Sequence, residues 1–276
     1  AGLSCAYFLA VDGYRVTVFE KEQVLGGMLT LGIPSFRLER QIIEAEIDIL
    51  RDLGVTFRTG VEVGRDLTLD DLRAQGFEAF YVAIGAQGGK TLGLAGEDAQ
   101  GVMTGVDFLR SINLGKGQPL HGKVLVVGGG NVAIDVARAA VREQAQSVDM
   151  YCLESREEMP ALDEEIEEAE SEAITIHNGW GPKRLEVRDG KIQAVEFMRC
   201  LSVFDENHRY SPKYDENDTV TVAADWVLLS IGQEIRWGGL LEGSGVELGR
   251  GRTAQADPLT WQTGQPDVFV GGDYQT

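Results

Sequence analysis

The residues best suited to chemistry are the run VVGGGNVAID at positions 126–135. Gly128 permits a tight turn after an apolar strand. Gly130 leaves room for backbone N–H groups to approach a pyrophosphate that a Cβ would displace. Ala133 supplies the third small position, where helix meets strand. A helix beginning at Asn131 and Val132 presents free N–H groups and the positive end of its dipole to that pyrophosphate. The chemistry such a turn serves is nucleotide binding. Three more glycine-bearing segments repeat part of the theme. FYVAIGAQ, with Gly85, and VLLSIGQE, with Gly232, are both apolar strands ending in a small residue, Ile and Gly, where the chain can pass close to a cofactor. Gly26-Gly27-Met28 follows Glu20 by six residues, and fits either close packing on a cofactor or a mobile loop.

These turns need strands and helices behind them. The segment GKVLVVGGGNVAIDVARAAVREQAQSVDMYCLES reads as a complete βαβ unit, with a strand over 123–127, a helix over 131–144 and a second strand over 147–153. The opening AGLSCAYFLAVDGYRVTVFEK reads as a small-residue helix stopped by Asp12-Gly13, then a strand over 14–19 closed by Glu20. That is either an ordinary surface helix and strand or the second half of another dinucleotide unit, with Gly2 as its third glycine and Glu20 as the ribose-binding acid. Further expectations are a helix over 37–55, a short strand pair over 55–63 and a helix capped by Thr68. Beyond these lie a buried strand over 77–89, a hairpin about Asp189-Gly190, a strand over 226–231 and a final strand ending in Gly271-Gly272-Asp273.

Composition narrows the class. The 276 residues hold one large domain or two modest ones, 43% of them apolar, with 35 glycines and no run long enough to span a membrane. A formal charge of −19 argues against nucleic acid and favours a basic partner. The acids of LDEEIEEAESEA read as a solvated face. Cys5, Cys152 and Cys200 are far apart and form no C-x-x-C, so neither a redox dithiol nor a cluster-ligand run is encoded. His121, His177 and His208 are isolated, and no metal site or catalytic acid–base pair is legible.

The segments VFEK, GGMLTLGIPSFRL, AIGA, GEDAQGV followed by DFLR, GKVLVVGGGNVAIDVARAAVR, SREEMPA, IGQ and DVFVGGD, taken together, resemble the FAD- and NAD(P)-binding oxidoreductases related to the small subunit of glutamate synthase. That group includes the flavin part of dihydropyrimidine dehydrogenase and subunits of bifurcating transhydrogenases. The resemblance implies an α/β fold of two Rossmann-like dinucleotide-binding domains, the NAD(P) domain (103–233) inserted in a discontinuous FAD domain (1–102 and 234–276). It implies that the FAD motif starts before Ala1, so both ends of the FAD domain are expected to be incomplete. It implies that Gly2 and Leu3 lie at the FAD pyrophosphate, and that Glu20, with Lys21 beside it, binds the adenosine ribose. Gly26, Gly27 and Met28 would flank the flavin, Gly85 would sit at the crossover, and Gly272 and Asp273 would face the ribityl chain or pyrophosphate. Gly128, Gly130, Asn131 and Val132 would hold the nicotinamide dinucleotide, and Gly232 would lie near the stacked rings.

The family's chemistry is hydride transfer between nicotinamide and flavin, the protein supplying orientation and electrostatics. The resemblance implies that electrons are exchanged with iron–sulfur clusters of a partner or of an N-terminal region, in a hetero-oligomeric complex, and a cytoplasmic location is expected. One position departs from the pattern. Relatives carry an Arg-Arg pair where this chain has Leu153-Glu154, with Arg156 beyond. Loss of two guanidinium forks removes grip on a 2′-phosphate, and an acid there accepts from ribose hydroxyls, so NAD(H) is expected over NADP(H). The competing possibility is that Glu154 points to solvent and Arg156 alone holds the phosphate.

Overall fold

The computed structural model describes residues 1–273. The chain forms two compact units, Ala1–Gly88 with Glu234–Thr276, and Gly89–Gln233.

In the first unit α1 (Gly2–Val11) buries Ala6, with Leu3 and Ala10 partly covered beside it, and ends at Asp12. A Cβ at Gly2 would lie 3.2 Å from that of Ala83, so the helix sits tightly on the chain after the third strand. β1 (Thr17–Glu20) is followed by the single turn α2 (Met28–Leu31), the amphipathic α3 (Arg40–Asp52), and β2 (Thr56–Thr59), which pairs parallel with β1. α3 buries Ile43, Ile47 and Leu50 and exposes Ile42 and Ile49. α4 (Leu69–Ala74) opens on a reciprocal capping box. The Thr68 hydroxyl accepts from Asp71 N–H, and the Asp71 carboxylate accepts from Thr68 N–H. β3 (Phe80–Val82) pairs parallel with the last strand, β14 (Val268–Val270). Their core includes Leu69, Leu72, Ile235, Trp237 and Leu240, so residues from both chain segments build one interior.

The chain crosses between units through the two-residue strands β4 (Gly88–Gly89) and β13 (Gln233–Glu234), which pair with each other. In chain order the second unit contains β5 (Val102–Thr104), α5 (Gly105–Asn113), β6 (Lys123–Val127), α6 (Asn131–Arg142), β7 (Ser147–Cys152) and α7 (Asp163–Ser171). There follow β8 (Thr175–Asn178), β9 (Trp180–Arg188), β10 (Lys191–Phe204), β11 (Tyr210–Ala223) and β12 (Trp226–Leu229). Five strands make a parallel sheet in the order β5-β12-β6-β7-β8, and the antiparallel sheet β11-β10-β9 forms a second layer. Alternation along β6 shows how the layers are held. Val124 and Val126 pack with Ile134, Val136 and Ala137 of α6, while Leu125 and Val127 pack with Val195 and Phe197 of β10. A strand covered on both faces reads as an unbroken apolar run, as KVLVV does.

Several expected boundaries differ. Pairing falls at 17–20 rather than 14–19, at 80–82 and again at 88–89 (β4) within 77–89, and at 56–59 within 55–63, where Val63 makes only an isolated bridge to Leu67. Beyond the limits of β1 and β2 the pairing thins to single main-chain bonds, Thr56 N–H donating to Val16 O and Val61 N–H to Glu20 O, both at 3.0 Å. The helix expected over 37–55 spans 40–52, and the strand expected over 226–231 ends at Leu229. β11 has no counterpart in the sequence reading, because its polar residues become a strand only through pairing with β10. The second unit begins at Gly89 rather than 103. Leu92 joins the β6–β10 core, a Cβ at Gly96 would touch Val187, and Gln100 bridges to Lys191, so this stretch belongs with the β9–β10 hairpin. No helix among the described residues is long and apolar enough to cross a membrane.

Candidate nucleotide-binding edges

In the second unit β6 runs straight into Gly128–Gly130 and then α6. The three glycines are small for different reasons. Gly128 has φ +141°, and a Cβ there would run into the carbonyl of Ser230 beyond β12, while its N–H donates to Tyr151 O at 2.9 Å. A Cβ at Gly129 would lie 2.9 Å from Glu154 Oε2 and 3.0 Å from Cys152 Cβ. At Gly130 it would meet nothing nearer than Pro160 Cγ, at 3.8 Å. The protein itself thus uses the space at Gly128 and Gly129 and leaves it open at Gly130. Gly130 is the N-cap of α6, and no side chain caps that end. Ala133 N–H donates to Gly130 O at 2.9 Å, which leaves the N–H groups of Asn131 and Val132 for an anion. Ala133 is fully buried, 3.4 Å from the Gly128 Cβ position, as close helix–strand packing requires.

Two residues expected here offer only main chain. The Asn131 side chain accepts from Leu162 N–H at 3.0 Å, which holds the loop after β7 against the turn together with Ala161 N–H to Gly129 O at 3.2 Å. Val132 packs on the helix-side core. Glu154 lies at the carboxyl end of β7 with its carboxylate over Gly129, and no group among the described residues hydrogen-bonds that side chain. Arg156 pairs with Asp163 at 2.9 Å. Beside them a cavity of about 270 Å³ is lined by Leu153, Ser155, Arg156, Asn178, Cys200 and Ser202, among others. Burial pushes the Cys152 thiol up to about 12, with the Glu154 charge adding to the effect, and burial raises Cys200 as well.

Gly232 follows β12, and its carbonyl accepts from Lys90 N–H at 3.0 Å. The Lys90 stem lies 3.4 Å from where a Cβ of Gly232 would stand. Lys90 carries no motif that would mark it in the sequence. The Ser230 hydroxyl, on the small residue of the VLLSIGQE segment, is buried at this edge without a hydrogen-bond partner, the kind of vacancy a polar ligand or water satisfies.

In the first unit the expected residues come from four separate stretches. Gly272 faces Ala1, the residue that opens α1, with 3.2 Å between the Ala1 Cβ and the Gly272 Cβ position. Asp273 Oδ2 accepts from Ala86 N–H at 3.1 Å and lies 3.3 Å from the Gly85 Cβ position. Gly2, Gly85, Gly272 and Asp273 therefore meet beyond the carboxyl ends of β3 and β14. Glu20 closes β1. Burial raises its carboxyl above the usual range, and Glu22 N–H, donating at 2.9 Å, opposes that rise. Lys21 is exposed. Leu3 turns into the apolar packing of α1 with α3, leaving only its backbone for a ligand. Gly26 is required by the protein, because a Cβ would strike Thr30 and Ile43. Met28 folds back over Gly32, whereas Gly27 faces open space.

The family model described as "Pyridine nucleotide-disulphide oxidoreductase" matches residues 1–276. The chain is 41% identical over 277 residues to the NADP(+)-dependent formate dehydrogenase subunit beta of Moorella thermoacetica, covering 99% of this chain and 39% of that protein. It is 32% identical to the glutamate synthase [NADPH] small chain of Escherichia coli (strain K12), covering 99% of this chain and 61% of that one. The chain thus spans roughly two-fifths to three-fifths of these relatives' length. Among solved structures, Mycobacterium tuberculosis FprA in complex with NADPH superposes with a TM-score of 0.79 at 16% identity, over 98% of this chain and 75% of that chain. Thioredoxin reductase of Lactococcus lactis superposes with a TM-score of 0.70 at 17% identity, over 100% and 88%. Those two likenesses establish the α/β fold with Rossmann-like parallel sheets. Matched along its whole length and related to the glutamate synthase small chain as its motifs imply, the chain belongs to the pyridine nucleotide-disulphide oxidoreductase family of enzymes.

Proposed function

We propose that this chain is the flavin- and nicotinamide-binding part of an electron-transfer oxidoreductase, working with NADH in preference to NADPH. FAD is assigned to the first unit. There the backbone at Gly2 and Leu3, with Gly27, Gly85, Gly272 and Asp273, would hold the pyrophosphate and flavin chain, and Glu20, with Lys21 beside it, the adenosine ribose. The open space at Gly27 and the convergence of Gly85, Gly272 and Asp273 support that fit. Bound FAD would accept or return a hydride at its ring. The nicotinamide dinucleotide is assigned to the second unit, on Gly128–Gly130 and the first turn of α6, with Gly232 and Lys90 toward its nicotinamide end.

The observation that carries the choice of NADH is the unpartnered Glu154 carboxylate over Gly129. A carboxylate at the end of the second strand accepts hydrogen bonds from ribose hydroxyls and repels a 2′-phosphate. A second reading, NADPH, is favoured by the relatives that are named for NADP(H) and by Arg156. Its guanidinium is engaged by Asp163, which weakens that reading. Relatives named as a beta subunit or small chain support a place in a hetero-oligomeric complex in the cytoplasm, with electrons passing to or from iron–sulfur clusters outside residues 1–276.

Stopped-flow bleaching of flavin absorbance in the full-length protein tests the reading. NADH is expected to reduce the flavin faster than NADPH. Leu153→Arg with Glu154→Arg is expected to raise NADPH selectivity by tens- to thousands-fold, since each charge-assisted phosphate contact is worth about 1.5–3 kcal/mol. A wild type reduced faster by NADPH removes the NADH assignment, and no bleaching by either nucleotide removes the function.

A further inference from the structure

The loop after β7 is fixed to the glycine turn. Ala161 N–H donates to Gly129 O, Leu162 N–H donates to Asn131 Oδ1, and Pro160 is the nearest residue to the open space at Gly130. A nucleotide on the turn meets this loop as its neighbour. Residues 154–172 hold ten acids and one basic residue, Arg156. Arg156 is therefore the local cation that can meet a 2′-phosphate, and its Nη1 is instead 2.9 Å from Asp163 Oδ1. Asp163 is the first residue of α7, and Glu167 and Glu170 of the same helix add their fields at Arg156. Glu168 and Glu172 face the other way in charge terms, since Arg138 and Arg142 neutralise them.

We infer that Asp163 is a specificity-determining residue, which holds Arg156 in an ion pair and, with Glu167 and Glu170, lines the loop with negative charge against the 2′-phosphate of NADP(H). The inference rests on the assignment of the nicotinamide dinucleotide to Gly128–Gly130. Its physics is twofold. A guanidinium already paired must give up its partner before it can clasp a phosphate. Unpaired acids within a Debye length of that phosphate repel it, and salt weakens the repulsion. Asp163 acts through Arg156 and through the field, so it is a positioning residue rather than a catalytic one. An apolar or amide residue at 163 would keep the helix start and lose both effects.

Calorimetric titration of the full-length flavoprotein with NADP⁺ and with NAD⁺ tests this. In Asp163→Asn the dissociation constant for NADP⁺ is expected to fall about three- to tenfold, the range of one exposed charge interaction, while that for NAD⁺ stays within about twofold. Adding Arg156→Ala should abolish the gain. Glu167→Gln with Glu170→Gln should tighten NADP⁺ by a smaller factor that shrinks as ionic strength rises to about 0.15 M. The inference is overturned if Asp163→Asn leaves the NADP⁺/NAD⁺ ratio at the wild-type value, or if the gain survives Arg156→Ala and is indifferent to salt. A wild type that binds NADP⁺ more tightly than NAD⁺ defeats the NADH reading alone, because the change in ratio on Asp163→Asn still decides the role of Asp163. Binding of neither nucleotide defeats both.

Discussion

The two candidate edges are built by opposite routes. In the second unit a strand, a turn of three glycines, a helix and a second strand with its terminal acid follow one another within 123–154. In the first, the candidate residues come from 1–3, 20–28, 85–86 and 272–273, and of these Gly2, Gly85, Gly272 and Asp273 meet beyond the ends of the parallel pair β3–β14. Even the ties differ. The second unit's turn is tied to the loop after β7 by Leu162 N–H donating to Asn131 Oδ1 across 31 positions, whereas in the first unit Arg73 Nε and Nη2 grip Asp267 at 2.6 and 3.0 Å across 194 positions. An edge that is contiguous in sequence can assign each glycine its own task. A discontinuous one places its ligand groups wherever distant segments converge.

The sharpest test of that division of labour is the pair Gly128 and Gly130. Gly128→Ala forces a Cβ against the Ser230 carbonyl at φ +141° and is expected to cost about 2–4 kcal/mol, overpacking and backbone strain acting together. Gly130→Ala meets only Pro160 at 3.8 Å, so it should leave stability within about 1 kcal/mol and weaken nucleotide binding instead. Thermal unfolding and calorimetric titration of both variants check this. Equal loss of stability at the two positions would break the comparison, because the space at Gly130 would then serve the fold as well.

Legibility followed the same line. β6, the turn and the start of α6 were readable to the residue, since strand, breaker and helix signals sit side by side. The Asp189-Gly190 hairpin and the Thr68 cap were readable for the same reason, being local. What failed was long-range. β11 owes its conformation to β10, and the limits of β1 and β3 are set by how far β2 and β14 extend. Asn131, Val132 and Leu3 are expected at the ligands from the resemblance, and no spacing reveals that their side chains are taken, Asn131 by Leu162 and the other two by apolar clusters, which leaves their main chain for that role. Lys90 and Asp163 lie outside every motif and meet one only through contacts made in the fold, with Gly232 and with Arg156.

A smaller effect is expected where α6 meets α7. Glu172 accepts from Arg142 at 2.6 Å and from Arg138 at 2.8 and 3.0 Å, which holds its carboxyl at about 2. A carboxylate lowered in the folded state adds stability above its unfolded value of 4.5 and loses it as pH falls through about 2. Allowing for solvent screening, the contribution near neutrality is about 1–2 kcal/mol. Glu172→Gln should therefore lower stability at pH 7 by that amount and remove the corresponding decline between pH 4.5 and about 2 in urea unfolding. A variant whose acid decline is as steep as the wild type's would show that the clamp on the second unit is not what acid releases.

The smallest effect concerns the thiols, and it separates this chain's chemistry from the disulphide in its family's name. Cys5 lies on α1 in one unit, and Cys152 and Cys200 lie on β7 and β10 in the other, all free. Cys152 comes nearest to the glycine turn, with its Cβ 3.0 Å from the Gly129 Cβ position, and its Sγ accepts from Asn178 Nδ2 at 3.3 Å. A thiol at about 12 is ionised in on the order of one molecule in 10⁵ at pH 7, and the thiolate is the nucleophile. Burial raises Cys5 and Cys200 as well. Burial thus disfavours the nucleophilic thiolate at all three. Substituting all three by Ala in the full-length protein should leave the rate of flavin reduction by nicotinamide within about twofold, and thiol-alkylating reagents should leave the folded wild type unlabelled at Cys152. Selective loss of that half-reaction, with unfolding temperature and nucleotide affinity preserved, would mean that the contiguous edge carries a redox thiol and that its acid, glycines and helix start are only part of the site.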